Sequence, residues 1–340
     1  MKAARLHAYD DSLRLDEVPE PRIEGHHDVI VKVGGAGLCR TDLHIIEGIW
    51  QTKVDVQLPY TLGHENAGWV AAVGDAVQSV KEGDAVIVHP LRTCGFCAAC
   101  RRGEDMYCEN GQFPGINADG GFAEYLRTSE RALIKLADGI DPVDVAPHAD
   151  AGITAYRAAK KAARILRPGD SAVVIGVGGL GHIALQSLRV LCGARLIAVD
   201  PSPTAQALAR ELGADNVVGG DRPVDEVREL TCGGAQVVVD FVGERGVEKQ
   251  AGQMLRQGGT HIVVGYGGAI DLPTIDVIFS EISVVGSLVG NYTELSELMT
   301  LNAEGRVKLH TRRYALDDVN QAIDDLDHGR IRGRGVLVPG

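Results

Sequence analysis

No run of apolar residues in this chain reaches the roughly 18 residues that a bilayer-spanning helix needs, so a membrane span is not expected. No cluster of five or six basic residues interrupts a formal charge of −12, and nucleic acid is not an expected partner. The opening Met1-Lys2-Ala3-Ala4-Arg5 runs into a polar segment without an apolar h-region. A secretory leader is therefore not expected, and a reducing, cytoplasmic setting is. Internal repeats and low-complexity tracts are also missing. With 340 residues the chain is long for one core, so two domains are the default. Hydrophobic residues at 45% and charged residues at 24% are ordinary for a globular protein.

Four of the seven cysteines, Cys94, Cys97, Cys100 and Cys108, fall in a C-x2-C-x2-C-x7-C pattern. Four thiolates this close can close a tetrahedral zinc site that leaves no position for substrate. A pair of disulfides or an iron–sulfur cluster would use the same residues. A reducing compartment keeps the thiols free for metal, and structural zinc is the expectation for a lobe at 92–110.

The middle of the chain carries a nucleotide signature. Ser171-Ala172-Val173-Val174-Ile175 is a strand-length β-branched run. It feeds Gly176-Val177-Gly178-Gly179-Leu180-Gly181, which has glycines at the three positions of G-x-G-x-x-G. A segment of helical period follows, and a second strand at 195–199 ends in Asp200, nineteen residues past the last glycine. Gly176 permits the tight turn, Gly178 lets backbone approach a pyrophosphate, and Gly181 brings helix and strand together. The helix N-terminus offers free N–H groups to phosphate. Asp200 suits ribose hydroxyls and repels a 2′-phosphate, and Pro201-Ser202-Pro203-Thr204 supplies no cation to offset that. The expected cofactor is NAD.

Further strand-like runs at 236–242 and 260–264 alternate with helical segments, among them 204–212 with Gly213 as its cap. The expectation is a doubly wound parallel sheet over 151–285. Residues 1–150 instead show short strand-like runs (29–33, 67–73, 85–88) between turns, which predicts a β-rich domain. Segments 291–305 and 316–329 read as helices and 335–338 as a closing strand, with no place assigned by pattern alone.

Gly37-Leu38-Cys39-Arg40-Thr41-Asp42-Leu43-His44 gathers a thiol, a hydroxyl, a carboxylate and an imidazole. If helical, it puts Cys39 and Asp42 on one face and Thr41 and His44 on the next. Gly63-His64-Glu65-Asn66 follows, with His64 twenty-five residues after Cys39. One reading is an open zinc site on Cys39, His64 and a further ligand; the other is a small buried thiol and a hydrogen-bonded core histidine.

In that order, Cys39, His64-Glu65, the four-cysteine lobe and the glycine loop resemble the zinc-dependent medium-chain alcohol dehydrogenases over essentially the whole chain. Supporting stretches are Tyr60-Thr61-Leu62-Gly63-His64-Glu65, Asp150-Ala151-Gly152-Ile153-Thr154-Ala155-Tyr156 and Val285-Gly286-Ser287-Leu288-Val289-Gly290-Asn291. The resemblance implies an α/β fold: a GroES-like catalytic domain at 1–150, a Rossmann domain at 151–285, and a return segment at 286–340. It implies two zinc ions per chain, one structural and one catalytic. Cys39, His64 and Asp150 match the catalytic-zinc positions, Asp150 where many relatives carry Cys. His148 stands two residues away and does not match; it reads as a loop histidine with a backbone partner.

Position by position, Glu65 resembles the acid behind the metal, and Asp42 the carboxylate that orients His64. Thr41 and His44 match a proton relay. Arg40 and Arg334 match pyrophosphate positions, either being otherwise a solvated surface charge. Thr154, Gly179, Leu180, Val264 and Leu288 join the glycines and Asp200 as cofactor positions. Ile49, Trp50, Leu91 and Val289 line the expected pocket, though Trp50 reads equally as a core aromatic. The implied activity is reversible hydride transfer between a primary or secondary, aliphatic or aromatic alcohol and NAD+, giving aldehyde or ketone. A polyol or amino-alcohol dehydrogenase on the same scaffold is the alternative, and a non-enzymatic NAD- and zinc-binding sensor a more distant one. A homodimer or homotetramer is expected, with a strand near 282–288 available to pair between subunits.

Overall fold

The computed structural model describes residues 1–54 and 56–340. It divides into two compact units. The first comprises Met1–Ile153, Gly290–Glu304 and Leu309–Gly340; the second comprises Thr154–Val289 and Gly305–Lys308.

The first unit is built on strand Asp28–Gly37, whose Val29, Val31, Val33 and Ala36 are fully or almost fully buried. It pairs antiparallel with Glu65–Val73, Tyr125–Ser129 and Arg334–Val338. Ala85–Val88 and Leu133–Lys135 extend the sheet on one side, and Thr311–Ala315 on the other. A three-stranded sheet of Arg14–Glu17, Lys2–Leu6 and Tyr60–Thr61 completes the β-structure. Between these elements Leu6, Leu38, Leu62 and Phe122 have no exposed surface. The three runs expected as strands lie inside Asp28–Gly37, Glu65–Val73 and Ala85–Val88. Pattern alone gave the last strand no place; Val336 and Leu337 register against Gly37 and Ala36, so it closes against the central strand.

One register detail prepares the site. Gly37 pairs with Glu65 at the end of the ladder between the two longest strands of this sheet. Cys39, two residues past one strand end, and His64, one residue before the other, are thereby brought side by side. Two irregularities in the same ladder, between Ile30 and Val31 and between Val33 and Gly35, set that register.

The second unit is a six-stranded parallel sheet. Its order is Asn216–Val218, Arg195–Val199, Ser171–Ile175, Ala235–Asp240, Leu255–Val263, Ser283–Gly286. The chain steps away from Ser171–Ile175 first to one side and then to the other, which makes that strand the switch point where doubly wound sheets bind ligands. Period-2 alternation sorts its residues between two cores: Ala172, Val174, Val237 and Val239 pack in one, Val173, Ile175, Val238 and Ile197 in the other. That two-sided burial explains the continuous apolar runs. Helices Gly181–Leu191, Pro203–Glu211, Pro223–Leu230 and Val247–Gln253 fall between successive strands.

Truncating Phe122 to Ala should remove about 3–5 kcal/mol of stability, because its ring is fully buried and packed cores relax only partly into such a void. A urea titration followed by circular dichroism should show the midpoint fall with the slope unchanged.

Candidate active site and metal centres

Strand Asp28–Gly37 ends two residues before Cys39, which stands in extended conformation as the N-cap of helix Arg40–Ile46. Asp42, at the third helical position, accepts the Cys39 backbone N–H through Oδ2 at 2.9 Å and fixes the turn. Its other oxygen, Oδ1, lies 3.3 Å from His64 Nδ1. That leaves Nε2 of His64 pointing inward, 3.4 Å from Asp150 Oδ2. His64 is 1% exposed, and Phe113 stands edge-on to its ring at 5.8 Å. Asp150 follows the short turn Ala146–Ala149 and precedes helix Ala151–Ala163.

One donor atom each from Cys39, His64, Glu65 and Asp150 lies within 4.8 Å of all the others. Glu65 has no exposed surface; its Oε1 accepts the Ala151 N–H at 3.2 Å and pairs with the Arg334 guanidinium. Its Oε2 is buried without a hydrogen-bond partner. A Cβ on Gly37 would sit 2.0 Å from that oxygen, so only glycine fits there. Burial drives the Glu65 carboxyl upward, Asp150 adds to the rise, and Arg334 opposes it. His64 is penalised as a cation by burial, yet Asp42 and Asp150 together hold it well above its ordinary value. A buried thiol, an imidazole and two carboxylates converging in this way fit a borderline-soft divalent cation such as zinc.

The second group of donors is Cys94, Cys97, Cys100 and Cys108, again mutually within 4.8 Å. Cys94 Sγ and Cys100 Sγ stand 3.9 Å apart and all four thiols are free, so the disulfide alternative does not hold here. Backbone N–H groups of Cys97 and Phe96 lower Cys94 to about 6, and those of Cys100 and Glu109 lower Cys97. Burial raises Cys100 to about 12. A lobe that stabilises thiolates while burying one of them fits a metal cross-link.

In the second unit Gly176 has φ +83°, and a Cβ on Gly181 would meet the Gly176 carbonyl at 1.8 Å. Gly178 is exposed with open space around it. Asp200 accepts the Val177 N–H through Oδ2 and the Ser202 N–H through Oδ1, both at 2.8 Å. The acid thus braces the glycine turn as well as standing at the strand end. Thr154 is buried, Val264 half-buried and Leu288 exposed, while Val289 is 8% exposed at φ +43°.

The remaining expected residues are placed as follows. Thr41 and His44 sit three residues apart on helix Arg40–Ile46, Thr41 half-buried and His44 at 9% exposure. Arg40 is exposed. Arg334 is 4% exposed and paired with Glu65, so the solvated-charge reading is corrected. Trp50 is half-buried and packs against the first unit's core, Leu91 is half-buried, and Ile49 is exposed. His148 lies outside the donor group; it is fully buried, and its Nε2 stands 3.3 Å from Asn302 Nδ2. The Arg334–Glu65 pair, 269 residues apart in the chain, left no trace in spacing.

Comparison with known proteins bears on this arrangement. Residues 25–138 match the alcohol dehydrogenase GroES-like domain, and residues 179–304 match the zinc-binding dehydrogenase domain. The crystal structure of the alcohol dehydrogenase from Aeropyrum pernix is 51% identical, with a TM-score of 0.97 and 100% of each chain covered. An NAD-dependent alcohol dehydrogenase of Sulfurisphaera tokodaii is 35% identical over 100% of both chains. The chain belongs to the zinc-dependent medium-chain alcohol dehydrogenases. A D-arabinose 1-dehydrogenase (NADP(+)) of Saccharolobus solfataricus is 36% identical over 99% of this chain and 97% of that one. This dehydrogenase is accordingly an oxidoreductase with zinc and NAD as cofactors, acting on a small molecule, and no helix among its described residues is long and apolar enough to cross a membrane.

Elemental analysis of the purified dehydrogenase should give two zinc ions per chain. Cys100→Ser should lose one and keep the other, and Cys39→Ser the reverse; loss of both in either variant would mean the two donor groups are not separate sites.

Proposed function

We propose that the chain catalyses reversible, NAD-linked oxidation of primary or secondary alcohols, aliphatic or aromatic, to aldehydes or ketones. The observation that carries this is the convergence of Cys39, His64 and Asp150 donors in a buried group, with Asp42 behind His64. Bound there, zinc supplies an electrophile that lowers the pKa of a substrate hydroxyl, and NAD supplies the hydride acceptor.

The chain's own residues do the rest. Asp42 holds the His64 ring through Nδ1, so that Nε2 is the nitrogen presented to the metal. Arg334 holds Glu65 back through one carboxylate oxygen and leaves the other within reach of the donor group. Thr41 would take up the proton of the substrate hydroxyl as it gives up its own, and His44, three residues on along the same helix, would receive the proton so released. His44 then exchanges it with water, a task suited to an imidazole near neutral pH. Ile49, Trp50, Leu91 and Val289 offer apolar surface, which favours hydrocarbon substituents on the carbinol carbon. Asp200 accepts ribose hydroxyls and disfavours a 2′-phosphate. Arg40 and Arg334 serve as pyrophosphate partners.

A second reading, oxidation of a sugar or other polyol, is favoured by the similarity to the D-arabinose dehydrogenase. The deciding experiment is NAD+ reduction on a panel of simple alcohols, benzylic alcohols, polyols, aldoses and threonine. Simple or benzylic alcohols with the highest kcat/KM support the proposal. A preference for polyols or aldoses selects the second reading. NADH binding with no turnover on any member would revive the sensor.

The free edge of the parallel sheet supports a homo-oligomer. Strand Ser283–Gly286 is exposed along its whole length, and Ile275, Ile278 and Phe279 beside it are 56%, 69% and 72% exposed. A second copy pairing at that edge covers both the unpaired backbone groups and the apolar side chains. A reducing, cytoplasmic setting is consistent with the free thiols. Phe279→Asp should lower the mass found by light scattering to that of a smaller assembly; an unchanged mass would place the interface elsewhere.

A further inference from the structure

Two buried polar side chains of the first unit take no part in the proposed reaction, and both bond the same short backbone segment. His89 is 2% exposed. Its Nε2 lies 3.0 Å from the Gly290 carbonyl oxygen, and its Nδ1 lies 3.3 Å from both the nitrogen and the carbonyl oxygen of Leu91. A neutral ring carries one proton; placed on Nε2 it serves the shorter contact to the Gly290 carbonyl, which leaves Nδ1 to accept the Leu91 N–H. Burial, which lowers the imidazole's proton affinity, favours that neutral form, although Gly290 and Asp105 oppose the shift.

Asp105 is the second side chain, 4% exposed in the four-cysteine lobe. Its Oδ2 accepts the Tyr292 N–H at 2.9 Å, and its Oδ1 accepts from Arg131 at 3.3 Å. Tyr292 opens helix Tyr292–Ala303, where Asn291 and Glu294 form a capping box. The first-turn N–H groups of a helix have no partner within it, and a carboxylate there satisfies one and complements the dipole. Tyr292 Oη donates to the Leu133 carbonyl at 3.0 Å and anchors the same point from its other end.

We propose that His89 and Asp105 are positioning residues for the nicotinamide end of the cofactor: they fix the backbone of residues 290–292, immediately after Leu288 and Val289. This rests on the reading above, which gives Leu288 to the cofactor and Val289 to the pocket. Packing alone would be served by apolar side chains at both places; a neutral imidazole and a carboxylate add direction. His89 also ties Leu91, another expected pocket residue, to the same segment, so one ring sets the spacing of both. Asp105 ties the segment to the metal lobe, and the lobe thereby acquires a part in cofactor affinity without touching the reaction.

The test is NADH affinity by fluorescence titration of the zinc-loaded enzyme, with zinc content and the thermal transition recorded for each variant. His89→Leu should weaken NADH about tenfold, as expected when a buried hydrogen bond to backbone is removed. His89→Gln, whose amide can still donate to Gly290, should recover most of that loss. Asp105→Ala should weaken NADH by a similar factor and Asp105→Asn, which keeps an acceptor for Tyr292, by less. In steady state KM for NAD+ should rise more than kcat falls. NADH affinity within about twofold of the parent in both His89→Leu and Asp105→Ala, at full zinc content, overturns the proposal. If His89→Leu fails to fold, the Asp105 pair decides on the same criterion. A parent enzyme that does not bind NADH overturns the functional reading itself, a result distinguishable from a parent that binds and variants that match it.

Discussion

The constraint on which the first unit depends is the concentration of acidic groups around one imidazole. Cys39, Asp42 and Glu65 are buried, Asp150 nearly so, and Arg334 is the guanidinium among them. Burying one unpaired carboxylate already costs several kcal/mol, and a second beside it raises the affinity of both for a proton. The group is therefore stable with protons, with cations, or with both. The architecture favours a cation: Asp42 takes the Cys39 N–H on one side and faces His64 on the other, Glu65 is held by Arg334 and the Ala151 N–H, and donor atoms of Cys39, His64, Glu65 and Asp150 converge.

The second unit solves the opposite problem with backbone. Its glycine turn leaves N–H groups unshielded by side chains, and Asp200 consumes the Val177 N–H to hold the turn open. Donors of that kind suit phosphate anions, whereas the acceptors gathered in the first unit suit a divalent cation. The two halves of the chemistry are thus carried by different parts of the polymer, one by side chains gathered from distant positions and one by main chain within a few residues.

That difference decides what was legible in the sequence. Strands Ser171–Ile175 and Arg195–Val199 could be bounded from pattern because both faces are buried and the turn residues flank them. The four cysteines announce themselves because their spacing is local. Cys39 and His64 do not: each alone reads as a core residue, and only the Gly37–Glu65 register brings them together. Resemblance pointed to these residues, but neither it nor spacing disclosed that Arg334 turns inward to Glu65. His89 and Asp105 left no signal, since a polar residue bonding backbone far along the chain has no periodicity to read. The last strand was recognisable as a strand, yet its place depends on pairing with Asp28–Gly37, which no local pattern encodes.

The contrast between near and far ligands has a consequence for how the protein matures. Cys94 to Cys108 is a single short loop, so zinc can be captured there by a chain whose strands have not yet paired, and that capture contributes directly to folding free energy. The donors at 39, 64 and 150 exist as a group only once the central ladder has formed. Metal loading is thereby ordered in time: the lobe can fill on a nascent chain, while the other centre fills only in a folded one.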